Sequence, residues 1–560
     1  MFYKKYLFIF LIIFIPLIVL VDLFKPGLPL THDGQDHVAR IANFYQNLSE
    51  GNIIPRWAGN LNWGYGHPIL EFLYPLPSYL ASFFHYFGFT LVDSVKLVFG
   101  ITIVLSGLAM HLFVKELLGD DKAAFFASAL YMIAPYRFVD LYVRGAIGEH
   151  VVFIFPPLVF YFLLKLSKRN SLRYVIGGAF SFAGLILSHN AIALMFLPLI
   201  LAYVFYLIFQ YPNRRKFIFN ASCLMFLGFG LSAFFWQPAF MEGKYTLRDI
   251  VTGSGEYKAS FVMWKDFFFG QWNYGGTTAL SKQIGIVHWM SVLGGLVAAP
   301  ALYKKKNNQW IVCLGSFFIF WIVLFLMTYS SNQIWQTITI LQKFQFPWRF
   351  LSVTVFLSAF MGGFLLHIIS NKYKKIALLI FLVGLLVVNK DYWHANGFLN
   401  KPENFYTGIY NGTTDTGESA PIWSVRFMEK RPAAKVEIIE GYGEIKEIKR
   451  SFTKREYLVE AAGKIRVLEN TLYFPGWTVL VDGRKVNIEF QDQNYRGLIT
   501  FDADKGSHRI SISYEESKTR LLADIISIVS ISMTGGLIII ELLRLRLKKR
   551  YNNSKSYDKR

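Results

Sequence analysis

Cysteine is nearly missing from this chain of 560 residues: Cys223 and Cys313 are its two, and both lie inside apolar runs. That excludes a disulfide framework and a thiolate metal site, which place several cysteines in aqueous loops. The pair reads as packing residues. Charge is scarce too, at 17% of residues, against roughly 25% in an average soluble domain. Acidic groups are the scarcer kind, with 37 Asp and Glu against 58 Lys and Arg and a formal net charge of +21. Such an excess can mark a nucleic-acid binder. Here, however, the basic residues sit in short clusters between apolar runs, where they orient a chain in a membrane, so nucleic acid is excluded as a partner. Internal repeats and low-complexity segments are absent, which removes a common sign of a transporter.

What is abundant is apolar surface: 54% of residues are hydrophobic and 18% aromatic. Runs such as Tyr6 to Phe24, Lys216 to Phe240, Trp310 to Thr328 and Leu521 to Leu543 approach or exceed the ~20 residues that cross a hydrocarbon core. Lys4 and Lys5 before the first run resemble the start of a signal peptide, yet no small-residue cleavage site follows, so the run is expected to remain as a first helix.

The basic clusters at Lys4/Lys5, Lys115/Lys122, Lys165 to Arg173, Arg214 to Lys216, Lys304 to Lys306, Lys372 to Lys375 and Arg544 to Arg560 mark one side, taken as cytoplasmic. Two apolar runs separate most neighbouring clusters, but three lie between Lys5 and Lys115. The run at 69–88 contains Pro75 and Pro77, each lacking a backbone donor that lipid cannot replace, so it is expected to be re-entrant or interfacial. The reading is an all-α polytopic membrane protein of about 12 spanning helices, both termini cytoplasmic, in the plasma membrane. Residues 1–390 form its transmembrane domain with a large first outer loop at 25–90. Residues 391–520 form a small β-rich extracytoplasmic domain, because apolar and polar residues alternate there and Asp482-Gly483 separates two such stretches as a hairpin turn does. A final helix at 521–543 and a basic cytoplasmic tail at 544–560 follow.

The first outer loop opens with Thr31-His32-Asp33-Gly34-Gln35-Asp36-His37-Val38-Ala39-Arg40, two carboxylates, two imidazoles and a guanidinium just after a membrane exit. One reading is a solvated loop leading into an amphipathic surface helix. The other is catalytic: interfacial burial raises a carboxylate's pKa toward the range useful for taking a proton from a hydroxyl, with Asp33 the first candidate and Asp36 the second. His32, Asp33, Asp36 and His37 are also of the types that ligate a divalent cation, although their spacing matches no strong metal motif. Farther along come Arg56-Trp57, Tyr65 between two glycines, and Tyr74. Aromatics mixed with Gly suit a sugar, whose C–H faces pack on rings, and equally suit an interfacial belt. Arg137, Arg144, Glu149, His150 and His189 follow at later membrane boundaries, as does Arg349. Ionisable groups there are functional candidates, with Arg144, Arg137 and Arg349 suited to a lipid phosphate and snorkelling or structural pairing as the alternative.

The first loop as a whole, with Pro55-Arg56-Trp57, Gly64-Tyr65-Gly66, Tyr74-Pro75-Leu76-Pro77 and then Pro135-Tyr136-Arg137 and Arg144-Gly145-Ala146, resembles the bacterial membrane proteins called 6-pyruvoyl-tetrahydropterin-synthase-related, a GT-C-like group. Leu472 to Val479 followed by Val481-Asp482-Gly483 is similar to the outer domain of the YfhO family, although Glu418 to Trp423 departs from the Glu-Tyr-Leu-Pro run of those relatives. No zinc-type histidine cluster of a soluble pterin synthase is present. The resemblance implies a GT-C fold and hexosyl or pentosyl transfer from a polyprenyl-phosphate-sugar donor to a glycan, lipid or protein acceptor on the outer face. Asp33 and Asp36 are then catalytic. Arg144, Arg137, Arg349, Glu149, His150 and His189 surround the lipid phosphate, and His32, His37, Arg40, Arg56, Trp57, Tyr65 and Tyr74 the acceptor or sugar. No resident cofactor is called for beyond the divalent cation. A transporter or flippase of a lipid-linked or polar solute, or a non-catalytic glycan-assembly protein, is the alternative.

Overall fold

A computed structural model of the chain describes residues 2–169, 171–210, 213–252, 255–274 and 280–557. Among them seven helices are long and apolar enough to cross a membrane, from Leu91–Leu118 through Lys518–Leu547. An eighth span arises if Arg214–Leu231 and Ala233–Met241, bent by 68° at Ser232, count as one. The gap between these numbers and the expected twelve lies in helix length and charge. The first run yields an apolar helix at Tyr6–Val19 and another run yields Leu172–Ser188. Asp121–Met132 is only 12 residues long, and Asn371–Asn389 begins with three lysines. The 69–88 run divides into Ile69–Phe72 and Leu76–Tyr86, with Pro75 capping the second piece. Eleven residues rise only ~16 Å, so that run does not cross.

The bend at Ser232 has a local cause. The Ser232 hydroxyl donates to the Gly228 carbonyl at 2.9 Å, and the Ser527 hydroxyl of the last long helix accepts from the freed Phe234 N–H at 2.9 Å. A backbone donor that lipid could not have satisfied is thus met by a neighbouring helix.

The β-rich domain has two antiparallel sheets. One runs Gly443–Arg450, Lys454–Ala461, Gly506–Tyr514, Trp477–Val481, Arg484–Val486; the other runs Val436–Glu440, Ile465–Leu472, Leu498–Ala503. Val481 faces Arg484 across a turn whose two residues, Asp482 and Gly483, have φ of 50° and 80°, the geometry for which Asp-Gly is suited. Tyr457, Val459, Val467, Phe501 and Ile510 fill the core between the sheets. Trp57 and Tyr65 of the first loop belong to that same core: Trp57 packs edge-on against Trp477 with ring centres 5.3 Å apart. The domain is therefore fastened to the helical part through the first loop. Leu28–Pro29 also pairs with Phe398–Leu399, which brings the 400–420 segment over the start of that loop.

Candidate active site

The start of the first loop is docked by its backbone. His32 N donates to the Val143 carbonyl at 3.0 Å and Asp33 N to the Arg144 carbonyl at 2.8 Å. The receiving segment, Val139–Arg144, is a wide π-type helical turn that ends at Gly145 with φ of 70°. A side chain at Gly145 would meet Thr31 Oγ1 at 2.4 Å and Gly34 N at 3.0 Å, so both the conformation and the close approach call for glycine. Helix Gly34–Ser49 starts immediately after Asp33. Asp33 stands at its N-cap position and Asp36 in its first turn, both at the positive end of the helix dipole.

The two carboxylates differ. Asp33 is exposed and makes no side-chain hydrogen bond or ion pair among the described residues. Asp36 is half-buried; the Tyr410 hydroxyl donates to its Oδ1 at 2.7 Å, and Gln35 Nε2 donates to that hydroxyl at 2.9 Å. Burial raises the Asp36 pKa above the ordinary carboxylate value, partly offset by the Tyr410 bond.

Facing them is a buried ionic cluster. Glu149 accepts from Arg144 Nη2 at 2.8 Å, from Arg349 Nε at 2.7 Å and from the Tyr136 hydroxyl at 2.8 Å. Arg144 also reaches Asp140 at 2.8 Å and lies 4.6 Å over the Trp348 ring. Arg349 Nη1 donates to the Phe344 carbonyl at 2.9 Å, and Nη2 has no partner among the described residues. Burying Arg144 is tolerable only because both neighbouring acids meet it with direct hydrogen bonds.

Tyr74 lies between these groups. Its ring stacks on His189 with centres 4.7 Å apart and presses against Gly148, where a Cβ would come within 2.0 Å of the ring. It sits in the field of Arg40, Glu149, Arg349 and Asp33 at once, and its hydroxyl is pushed up to about 12 by burial first. The candidate residues Asp33, Asp36, Arg40, Tyr74, Arg144, Glu149, His189 and Arg349 therefore converge on one region from five stretches of chain.

Others are placed elsewhere. Arg137 and His150 bond to each other at 3.2 Å in the core, with Arg137 stacked 4.1 Å from the Phe153 ring. Arg56 is held by Glu516 at 3.1 Å and Asp524 at 2.8 Å, tying the first loop to the last helix. Trp57 and Tyr65 are 0% and 8% exposed within the β-rich domain's core. His32 faces the Tyr274 carbonyl at 3.2 Å through Nε2, whereas His37 stays with the converging group and shares Nδ1 with Arg40 at 2.9 Å. His37 is held well below its usual range by burial and by Arg40. Among the described residues no three His, Cys, Asp or Glu side chains are grouped to hold a metal ion.

The structure adds residues that sequence reading passed over. Tyr410 bonds Asp36 across 374 positions, and Thr414 receives Arg40 through both its hydroxyl, at 3.2 Å, and its carbonyl. Asp415 follows, 3.5 Å from the buried His67. Burial would raise the Asp415 pKa, but His67 and the bonds around it outweigh that and lower it. The visible signal was the run Gly412-Thr413-Thr414-Asp415-Thr416-Gly417-Glu418, dense in small polar residues.

Comparison with known proteins gives four similarities. The model of a family of membrane proteins, 6-pyruvoyl-tetrahydropterin synthase related domain, matches residues 70–395, which include Tyr74, Arg144, Glu149, His189 and Arg349 and leave out Asp33 and Asp36. A Lactococcus lactis subsp. cremoris protein described as uncharacterized is 25% identical over 332 residues, 56% of this chain and 53% of that one. The chain thus spans about half the length of the curated relative it matches. Among solved structures, the arabinofuranosyltransferase AftD from Mycobacteria is similar with a TM-score of 0.44 and 13% identity, over 69% of this chain and 27% of that one. An Archaeoglobus fulgidus oligosaccharyltransferase is similar with a TM-score of 0.48 and 14% identity, over 76% and 62%.

Proposed function

The chain belongs to the 6-pyruvoyl-tetrahydropterin synthase related family of membrane proteins, and we propose that it is a GT-C-type glycosyltransferase, carrying a hexosyl or pentosyl group from a polyprenyl-phosphate donor to an acceptor outside the cell. In this reading the protein is a multi-pass plasma-membrane protein with cytoplasmic termini, and Asp33, Tyr74 and Arg349 lie on the extracytoplasmic face. A lipid-linked donor fits that side, because nucleotide sugars are cytoplasmic. The observation that carries the reading is the pairing of an unbonded, exposed Asp33 with the partly open Arg349 around Tyr74.

Asp33 takes the proton of the acceptor hydroxyl as its oxygen bonds the anomeric carbon; the bond from that carbon to the phosphate oxygen breaks, and polyprenyl phosphate departs. A single displacement inverts the anomeric centre. Arg349 Nη2, with Arg144 behind it, meets the charge growing on the departing phosphate. Asp36, its pKa raised by burial and steadied by Tyr410, shares the proton load of Asp33. Asp33 and Asp36 are also the carboxylates that would hold a hard divalent cation beside the donor phosphate; the bonds already made by His32 Nε2 and His37 Nδ1 leave those nitrogens out of such a set.

The test is transfer of radiolabelled sugar from a panel of polyprenyl-phosphate sugars by the purified protein in bilayers, with and without a chelator. Asp33→Asn is expected to lower transfer at least ~100-fold while donor binding and thermal stability persist. Full activity in that variant would remove Asp33 from the mechanism. Donor binding without transfer by the wild type from any donor would favour a carrier.

A further inference from the structure

A second feature lies at the other end of the helical bundle. Helix Asn190–Gln210 begins beside His189 at the candidate active site and runs twenty residues onward, a rise of ~30 Å or one hydrocarbon core. Its far half lines a cavity of about 340 Å³, together with Phe160, Ile311, Gly315, Phe356 and Phe360 from three other long helices. The walls are almost wholly aromatic and aliphatic, and the cavity is open on one side. Gly315 borders it, and a Cβ added there would meet nothing within 4 Å.

The mouth of this groove carries opposite chemistry. Gln210 lines the cavity and accepts from Asn308 Nδ2 at 3.0 Å, two to four residues beyond Lys304, Lys305 and Lys306. Phe209 lines it too and carries the Arg214 guanidinium 5.5 Å above its ring, with Arg215 and Lys216 next in the chain. All six basic side chains are exposed, and none makes an ion pair among the described residues. Tyr303 and Trp310 sit edge-to-face 5.4 Å apart at the same level, as interfacial aromatics do at a headgroup layer.

We propose that this groove is a binding site for an anionic diacyl phospholipid, one acyl chain lying along Phe160, Gly315 and Phe360 and the phosphate headgroup held by Lys304–Lys306 and Arg214. Apolar walls account for the chain, and six unpaired cations at the mouth account for the charge of the headgroup. The site is separate from the candidate active site, about a bilayer's thickness away, and does not depend on the reaction assigned there.

Native mass spectrometry of the full chain supplies the test, with phosphatidylglycerol and phosphatidylcholine offered in equal amounts and polyprenyl phosphate as a competitor. Phosphatidylglycerol is expected to be retained at about ten-fold preference or more over phosphatidylcholine. Gly315→Phe, which fills the groove without a backbone clash, should cut that retention at least five-fold, whereas Gly315→Ala should leave it unchanged. Joint replacement of Lys304, Lys305 and Lys306 by Gln alters only exposed side chains, and should erase the preference for the anionic lipid while leaving residual binding of both. Equal retention of the two phospholipids by the wild type would overturn the proposal. So would retention indifferent to Gly315→Phe, or displacement by polyprenyl phosphate that the lysine replacements do not affect.

Discussion

Two of the buried ionic clusters among the described residues lie against the first loop, and they differ in what they leave open. In the first, Glu149 joins Arg144, Arg349 and Tyr136, with Asp140 behind. In the second, Arg520 reaches Glu71 at 3.1 Å and Glu242 at 2.8 Å and lies 4.6 Å over the Tyr514 ring, while Arg56 beside it holds Glu516 and Asp524. The second joins the first loop, the bent helix pair, the β-rich domain and the last helix, and Arg520 is fully buried. The first is similarly charged, yet it keeps a guanidinium nitrogen of Arg349 free and stands across Tyr74 from the unbonded Asp33. Charge density at a membrane boundary therefore does not separate the two; what separates them is whether a free carboxylate and a free guanidinium nitrogen face a common space.

The sharpest way to break this comparison is to open each cluster in turn. Glu149→Gln leaves Arg144 and Arg349 without their shared carboxylate and is expected to cost ~3–5 kcal/mol of stability and to abolish transfer. Arg520→Met should cost a similar ~3–5 kcal/mol, since the buried Glu242 carboxylate loses its counter-ion, while transfer per folded molecule stays within about three-fold. Thermal unfolding in detergent beside the transfer assay reads both. Loss of transfer in a well-folded Arg520→Met protein would make the second cluster part of the mechanism.

A smaller effect concerns pH. Burial first, with Glu242 beside it and against the pull of Arg520, raises the Glu71 pKa from 4.5 to about 8. The folded protein thus holds a proton that the unfolded chain releases. Stability is fully present below pH 4.5 and is lost as pH rises toward 8, by at most ~1.4 kcal/mol per pH unit. Glu71→Gln should flatten that slope, and melting profiles taken between pH 5 and 8 check it; an unchanged slope would assign the dependence to another group.

The smallest expected change is at Asp36. Removing the hydroxyl in Tyr410→Phe takes away the bond that lowers its pKa, so the acid limb of the pH–rate profile should move upward, by less than about one unit. A shift in the other direction would mean that Tyr410 acts through something other than Asp36.

Much of this could be read in the chain itself, for local reasons. Pro75 and Pro77 broke the 69–88 run because a missing N–H and a fixed φ act within one turn. Asp482-Gly483 made its hairpin because both residues accept positive φ. Asp33, Arg144 and Arg349 stood out as ionisable groups at membrane boundaries and Tyr74 as a ring suited to a sugar or an interfacial belt, and the fold brought them together. Trp57 and Tyr65 stood out equally, and their fate was opposite. A ring beside glycines has the same local signature whether it faces a sugar or Trp477, and only the packing partner, some four hundred residues later, distinguishes them.

The sequence by itself determined that the chain is a helical membrane protein with a β-rich C-terminal domain, because hydrophobic run length and alternation are properties of neighbouring residues. Tertiary structure alone decided which charges are fasteners and which are left free. Tyr410 meets Asp36, Arg520 meets Glu242, and Arg349 meets Glu149 across hundreds of positions. No local pattern encodes such pairings, since a buried ion is tolerated only where a distant part of the chain arrives with a counter-charge or a hydrogen bond.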